Sequence, residues 1–393
     1  MTAATEQSSA VPPDPDKALS IGLWVEPQQI PDDISFIHHL ALGLKSEGHS
    51  VCLFASSQHT DEELGIFAVP VVRVDHSPRH WHDFLFRDSG HNPFRAGSSR
   101  SDSVQTLLNQ CRSQELQVVI LFGPTATAFP GFLELSRNIP VLYWCWDRAE
   151  ARDRLVGGAE FSGFLAASQP LLNGLKSRSG VAAHILRPGA FLSAPEPRQR
   201  ASQSPCFVCL DSLAGLSDFS NLLHACRDVA DATHDFLIFL YDSGPDKHAI
   251  WKLTQSLELL DRVSFVPYRN DCESLLLHGD FYLQAVESSR LNYIVLQAMA
   301  RGMPVLCRPS EAADFCMDGQ TCRIIAHGSR EEWRHAMISA LTQTEPLRRM
   351  SHAALQRLRQ HHSMSDMLAQ LVGHCRRAVA MPIPFPTPGA VGP

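Results

Sequence analysis

Glu287 to Val305 reads ESSRLNYIVLQAMARGMPV, and its polar residues are the first candidates for chemistry. Two serines and an arginine precede an apolar run, and Gln297 stands in the middle of that run. The start of a helix leaves backbone N–H groups without partners and carries partial positive charge, so it can seat an anion. A phosphate over Arg290, Leu291 and Asn292 would gain those amides and a guanidinium. Arg269 in PYRND and Arg308 in CRPS follow apolar, strand-like runs and can add charge on the same side. The stretch also meets purely structural needs. Ser288 or Ser289 can cap the helix, and Leu291, Ile294, Val295, Ala298 and Met299 make an apolar face. Gly302 supplies a left-handed residue and Pro304 blocks continuation. Every strand-to-helix junction has such a terminus, so these residues alone leave both readings open.

Other reactive residue types carry weaker signals. The 11 cysteines are scattered, mostly in apolar contexts such as SVCLFA and MPVLCR, as expected of reduced, buried thiols. Cys206 and Cys209 form the one close pair. They fall on a strand-like run, where positions i and i+3 point to opposite faces, so they make a poor chelate. No metal is expected. The 19 histidines include two adjacent pairs, His38–His39 and His361–His362, and helical neighbours do not share a face. There is no phosphate-binding P-loop, no GxGxxG, no HExxH and no hydrolase nucleophile elbow. Trp146, in PVLYWCWD, can stack on a sugar face or fill a core.

The elements that must position these residues alternate strand and helix. LSIGLWV, SVCLFAS, VVRV, LQVVILFG, IPVLYWCWD, FLAAS and AAHILRPGA read as buried strands of a first parallel sheet. FVCL, DFLIFLY, VSFVPY, DFYLQA and PVLCR read as a second set. Segment 84–104 is rich in Gly, Ser and Arg and reads as a long loop. The chain divides into a disordered start at 1–17, a first α/β domain at 18–190 and a Pro- and Ser-rich linker at 191–205. A second α/β domain at 206–350, C-terminal helices at 351–378 and a flexible tail at 379–393 follow. Strand–helix alternation implies two α/β domains whose strands' carboxyl ends line a cleft, where open α/β folds bind ligands. The net charge of −7 offers no basic field for nucleic acid. No apolar run reaches a membrane span and the N-terminus lacks a secretion signal, so a cytoplasmic protein, at most peripheral at a membrane, is expected.

LNYIVLQAMARGMPVLCRPS, preceded by RVSFVPYRNDCESLLLHGDFYL, resembles the nucleotide-binding half of the GT-B glycosyltransferases, in particular retaining family 4. DISFIHHLALGLKSEGHSVCLFAS is similar to the first helix and second strand of that family's acceptor domain. LAASQPLLNGLKSRSGVAAHILRPGA is similar to its end. The resemblance runs from about residue 19 to 375. It implies two Rossmann-like domains, an acceptor-type one at 18–190 and a nucleotide-sugar-type one at 206–350, with the C-terminal helix returning to the first. It also implies metal-independent transfer from a nucleoside diphosphate sugar to a glycan, lipid or small-molecule acceptor, with no other cofactor.

The residues that do this work in the family are largely replaced here. Its two donor-contacting glutamates fall on Ser289 and Gln297, and its first-domain histidine on Trp146, with Asp147 retained. The arginine and lysine that clamp the diphosphate fall near Asp211 and Ser217. The glycine-rich first loop becomes WVEPQQIPDD. An aspartate repels a diphosphate, and a serine cannot carry charge beside a developing oxocarbenium ion. Two functions stay open. One is a working transferase with a rebuilt clamp around Arg269, Arg290, Leu291, Asn292 and Gln297. The other is a catalytically silent relative that binds a glycan, nucleotide or protein partner.

Overall fold

The apolar runs assemble into two separate parallel sheets with the same strand order. A computed structural model describes residues 17–25, 29–56, 68–74, 99–123, 132–148, 151, 161–176, 182–192, 204–232, 234–267 and 272–381. The first sheet contains β1 (Ser20–Trp24), β2 (Ser50–Ser56), β3 (Val71–Val74), β4 (Val118–Leu121), β5 (Val141–Cys145), β6 (Gly163–Ala166) and β7 (Ala183–Ile185). Its order is β3-β2-β1-β4-β5-β6-β7. The second contains β8 (Cys206–Cys209), β9 (Leu237–Asp242), β10 (Val263–Pro267), β11 (Phe281–Gln284), β12 (Val305–Cys307) and β13 (Arg323–Ile324), in the order β10-β9-β8-β11-β12-β13. Every pairing is parallel. Strands β4, β5, β6, β8, β11 and β12 are buried along their whole length, which is why they read as continuous apolar runs and not as alternating ones. These are the two Rossmann-like domains that the resemblance implies.

Helices α1 (Gln29–Ser46), α2 (Ser99–Ser113), α3 (Phe132–Asn138) and α4 (Gln169–Lys176) belong to the first half. Helices α5 (Leu216–Asp231), α6 (Lys247–Ser256), α7 (Cys272–His278), α8 (Tyr293–Ala300), α9 (Arg330–Thr342), α10 (Thr344–His361) and α11 (Met364–Ala380) follow. Helix α2 begins inside the segment read as a loop. It is strongly polar and hides only a short stripe, including Leu107, Leu108 and Cys111. The rest of that loop, and the terminal segments 1–16 and 382–393, lie outside the described residues.

The chain order reverses between β1 and β4 in one sheet and between β8 and β11 in the other. The crevice at such a switch point is where ligands bind in this class of sheet. The loops leaving β8 and β11 flank the second switch point, and the loop leaving β5, the neighbour of β4, meets the β11 loop.

The last helix returns to the first sheet. Met364, Met367, Leu368, Leu371, Val372, Cys375 and Ala378 give α11 one buried stripe at helical spacing, and it packs on α1, β4 and β5. A Cβ on Gly43 of α1 would stand 2.6 Å from Leu368, so the two helices meet at a glycine. Gly189 allows an even closer approach: a Cβ there would lie 2.5 Å from the Cα of Met364. No helix among the described residues is long and apolar enough to cross a membrane.

His362, between α10 and α11, locks this return. Its Nδ1–H donates to the Pro188 carbonyl at 2.8 Å and its own carbonyl accepts the Ala190 N–H at 2.8 Å. Burial pulls the imidazole down to about 4. The unfolded chain, with an ordinary value of about 6.5, then binds the proton first as pH falls. The stability from neutral His362 is fully present above that value and is lost as pH drops toward 4. Between pH 7 and 5.5 it should contribute a loss of about 1 kcal/mol. Half-buried His374, also pulled down to about 4, and His49, likewise lowered, act in the same direction. The specific readout is therefore a difference. The thermal midpoint of His362→Gln should fall less steeply over that interval than that of the unsubstituted chain, and parallel slopes would refute the assignment.

Candidate functional site

The strand β5 ends in Trp146, Asp147 and Arg148, and β11 ends in a loop from Ala285 to Asn292. These two carboxyl-end loops, one from each sheet, meet edge to edge. Asp147 and Arg290 form an antiparallel bridge. The Arg148 N–H donates to Ser289 O at 3.0 Å, and the Leu291 N–H donates to Trp146 O at 2.9 Å. The Ser289 hydroxyl donates to Asp147 Oδ2 at 2.9 Å. Arg148 reaches past the bridge to Glu311, 2.5 Å away, on the loop after β12.

Two more ties run beside this one. The Asp314 carboxylate accepts Arg187 Nη2 at 3.0 Å and the Gln169 N–H, at the start of α4, at 3.1 Å. Tyr293 donates its hydroxyl to Gly189 O at 2.9 Å. Behind the ties lies an aromatic plug. Trp146 is only 1% exposed, which decides how its indole is used: it packs at ring-centroid distances of 4.7 Å from Phe36, 5.6 Å from Trp144 and 6.5 Å from Tyr293. Phe36 in turn meets Tyr293 at 4.8 Å. The apolar core is thus continuous from the first sheet into α8.

The start of α8 is the expected phosphate seat, and four of its N–H groups, those of Arg290, Leu291, Ile294 and Val295, are engaged internally. The Arg290 N–H donates to Ser288 Oγ at 3.0 Å, and the Leu291 N–H crosses to Trp146. Asn292 is the cap: its Oδ1 accepts the Ile294 N–H at 2.9 Å and the Val295 N–H at 3.4 Å. Asp211, at the end of β8, accepts the Ala285 and Val286 N–H groups at 2.6 and 3.3 Å through Oδ2, and Asn292 Nδ2 at 3.4 Å through Oδ1.

All eight residues of α8 are buried, Gln297 among them. Its amide donates to the Tyr293 hydroxyl and accepts from Arg301, so both ends are paired within one helix turn. Arg308 is also buried. It donates to the Ile325 and Ala326 carbonyls at 2.7 and 2.6 Å and pairs with Glu287 at 2.9 Å.

Ser217 lies exposed in the first turn of α5. The N–H groups of Gly215 and Leu216, at the start of that helix, point at Asp246 Oδ2, at 2.9 and 3.2 Å. Gly215 has φ of 90°, and Gly244 opposite it has φ of 127° with a Cβ position 2.6 Å from the Leu213 backbone. Both positions require glycine. Arg269 lies outside the described residues, as do 26–28 of the first loop.

The structure therefore brings Ser289, Arg290, Leu291, Asn292, Trp146 and Asp147 to one place. It sets Gln297 and Arg308 inside the protein and leaves Ser217 apart on α5. The sequence did not single out Arg148, Arg187, Tyr293, Glu311 or Asp314. Tyr293 sits in the quoted helix, and Glu311 and Asp314 follow Pro309 in one acidic run, SEAAD. That run was the available signal.

Comparison with known proteins agrees with the geometry of the two sheets. Residues 194–357 match the family model of the glycosyl transferases group 1. An uncharacterized glycosyltransferase of Haemophilus influenzae is 23% identical over 128 residues, which are 32% of this chain and 36% of that protein. The match thus spans about a third of the curated relative's length. Among solved structures, Anabaena HepE in complex with UDP and glucose superposes with a TM-score of 0.69 at 12% identity, over 91% of this chain and 99% of that one. The sucrose-phosphate synthase of Thermosynechococcus elongatus gives 0.70 at 12% identity, over 92% and 99%. These likenesses establish the fold.

Proposed function

We propose that this chain, a GT-B-fold protein related to the group 1 glycosyl transferases, is a catalytically silent member of that fold whose donor cleft is held shut by its own residues. The observation that carries the reading is the Ser289–Asp147 hydrogen bond with the backbone bridge around it. Ser289 stands where the family places a glutamate near the transferred sugar, and Asp147 stands beside the position of its sugar-contacting histidine. A donor sugar needs the space between those positions. Here they touch.

Electrostatics point the same way. Transfer from a nucleoside diphosphate stabilises negative charge developing on the leaving group, and fixed cations supply most of that stabilisation. Arg148, Arg187 and Arg308 each have a carboxylate partner. Asp211 puts an acidic side chain near the position that the resemblance gives the clamp arginine. On this reading the protein serves as a binding partner for a glycan or another protein, and the closed cleft makes the two halves one rigid body.

The second reading is retaining transfer from a nucleoside diphosphate sugar to an acceptor after the cleft opens. The partly exposed Arg290 at the junction favours it, with Arg269 and Gln297 as further donor contacts. Calorimetric titration with UDP, GDP and their common sugar conjugates separates the two. A silent protein shows no saturable heat up to millimolar ligand, for the unsubstituted chain and for Arg290→Ala alike. Micromolar binding that weakens at least tenfold in Arg290→Ala would overturn the closed-cleft reading and establish a rebuilt site.

A further inference from the structure

Among the described residues, ten cysteines carry free thiols. Most are core residues whose thiols burial pushes up, to about 11 in Cys52 and about 12 in Cys206 and Cys375. Three form a cluster. Cys307 at the end of β12, Cys316 in the following loop and Cys322 just before β13 bring their sulfurs within 4.8 Å of one another. We propose that these three thiols form a binding site for a closed-shell thiophilic cation, either Cu(I) in trigonal coordination or Zn(II) completed by a water.

The geometry is close to what such a cation needs. With metal–sulfur bonds of about 2.3 Å, three thiolates around one ion stand roughly 4 Å apart, so the sulfurs need to close by less than 1 Å. Among the described residues, no histidine, carboxylate or fourth cysteine completes the cluster. An all-sulfur set selects soft, thiolate-preferring metals over magnesium, calcium or manganese.

The frame that holds the thiols is preorganised. Thr321 Oγ1 accepts the Met317 N–H at 2.8 Å and donates to Phe315 O at 2.6 Å. The Gly319 N–H donates to Cys322 O at 2.9 Å, and Asp318 Oδ1 accepts the Ile324 N–H at 2.9 Å. The Ile325 N–H donates to Cys307 O at 2.8 Å. Packing alone does not need three sulfurs from a strand end, a loop and a second strand to converge on one point.

The site has a structural consequence. The loop between Cys307 and Cys316 carries Glu311, which pairs with Arg148, and Asp314, which holds Arg187 and the Gln169 N–H. A cation bridging Cys307, Cys316 and Cys322 would staple that loop at both ends and stiffen the closed cleft.

Anaerobic titration of the reduced full-length chain tests this with two probes, Cd(II) as a zinc analogue and Cu(I) delivered from a competing chelator. One equivalent should bind, with a thiolate-to-metal charge-transfer band and a rise in thermal midpoint. Preferential uptake of Cu(I) at one equivalent with three sulfurs by X-ray absorption identifies the trigonal site. Cd(II) binding with an added oxygen ligand identifies the zinc-type site. Cys316→Ala, at the least buried of the three, should weaken binding at least a hundredfold, while Cys375→Ala should leave it unchanged. Absence of saturable uptake by the unsubstituted chain overturns the proposal. So does equal uptake by both variants. So does a purified chain two mass units lighter with a disulfide between two of these cysteines that reforms after reduction in the presence of metal.

Discussion

Trp146→Ala is expected to cost about 3–5 kcal/mol of stability and to leave ligand affinity where it was. The indole is fully enclosed by Phe36, Phe122, Trp144 and Tyr293, residues drawn from both halves of the chain. Truncation removes the transfer free energy of a large aromatic and leaves a cavity between rigid neighbours that cannot collapse onto it. Because Tyr293 and Phe36 belong to different domains, the cavity also loosens the junction between the sheets. Trp146 Nε1 is buried without a hydrogen-bond partner, so the native residue already bears a desolvation cost. Trp146→Phe sheds that donor and keeps most of the apolar volume, and it should lose far less than the alanine variant. Denaturant titration followed both by fluorescence and by circular dichroism checks the effect and shows whether the two halves still unfold together. A loss under 1 kcal/mol, with altered binding on a glycan array, would instead make the indole a sugar-stacking platform.

The contrast between Trp146 and Gln297 shows which parts of this protein its sequence makes legible. Parallel sheets declare themselves because strands buried on both faces are continuous apolar runs, and LQVVILFG or CFVC can hardly be anything else. The apolar face of α8 is equally plain. That its opposite face is buried too is not, because the cover comes from α10 and from the first domain, hundreds of residues of chain away in part. The amide of Gln297 therefore reads as a donor contact, whereas the fold turns it onto Tyr293 and Arg301.

The cross-cleft ties have no local signature either. Ser289 and Asp147 are 142 positions apart, and neither period nor spacing links them. Helix α2 starts inside the segment 84–104, which reads as a loop, because its first residues, SRSDS, are polar and show no apolar period. The shared 3-2-1-4-5-6 strand order of the two sheets left no repeat in the sequence, since topology constrains hydrophobic pattern and not residue identity. The three clustered cysteines, spaced nine and six apart, match no chelating motif until β12 and the turn before β13 fold them together.

Asp211 carries the second large effect. It sits where β8 ends, beside the parallel strand β11, and two consecutive backbone N–H groups of the β11 loop converge on one of its oxygens. Its other oxygen takes the amide of Asn292, the residue that caps α8. One side chain thus sets the exit of β11, the path toward the Ser289–Asp147 contact and the start of α8. Asp211→Ala orphans both backbone donors in a position that is 8% exposed, where water cannot fully replace the lost acceptor. The expected cost is about 2–4 kcal/mol. Asp211→Asn keeps one acceptor in place and should lose about half as much. The decisive substitution is Asp211→Arg, which places there the charge that the family resemblance implies for holding a diphosphate. If Asp211 is an internal strut, the arginine variant destabilises at least as much as alanine and gains no affinity for UDP or GDP. If the variant folds with an undiminished melting point and binds UDP in the micromolar range, the cleft is one substitution away from a working donor site, and the contacts that now close it are incidental to its stability.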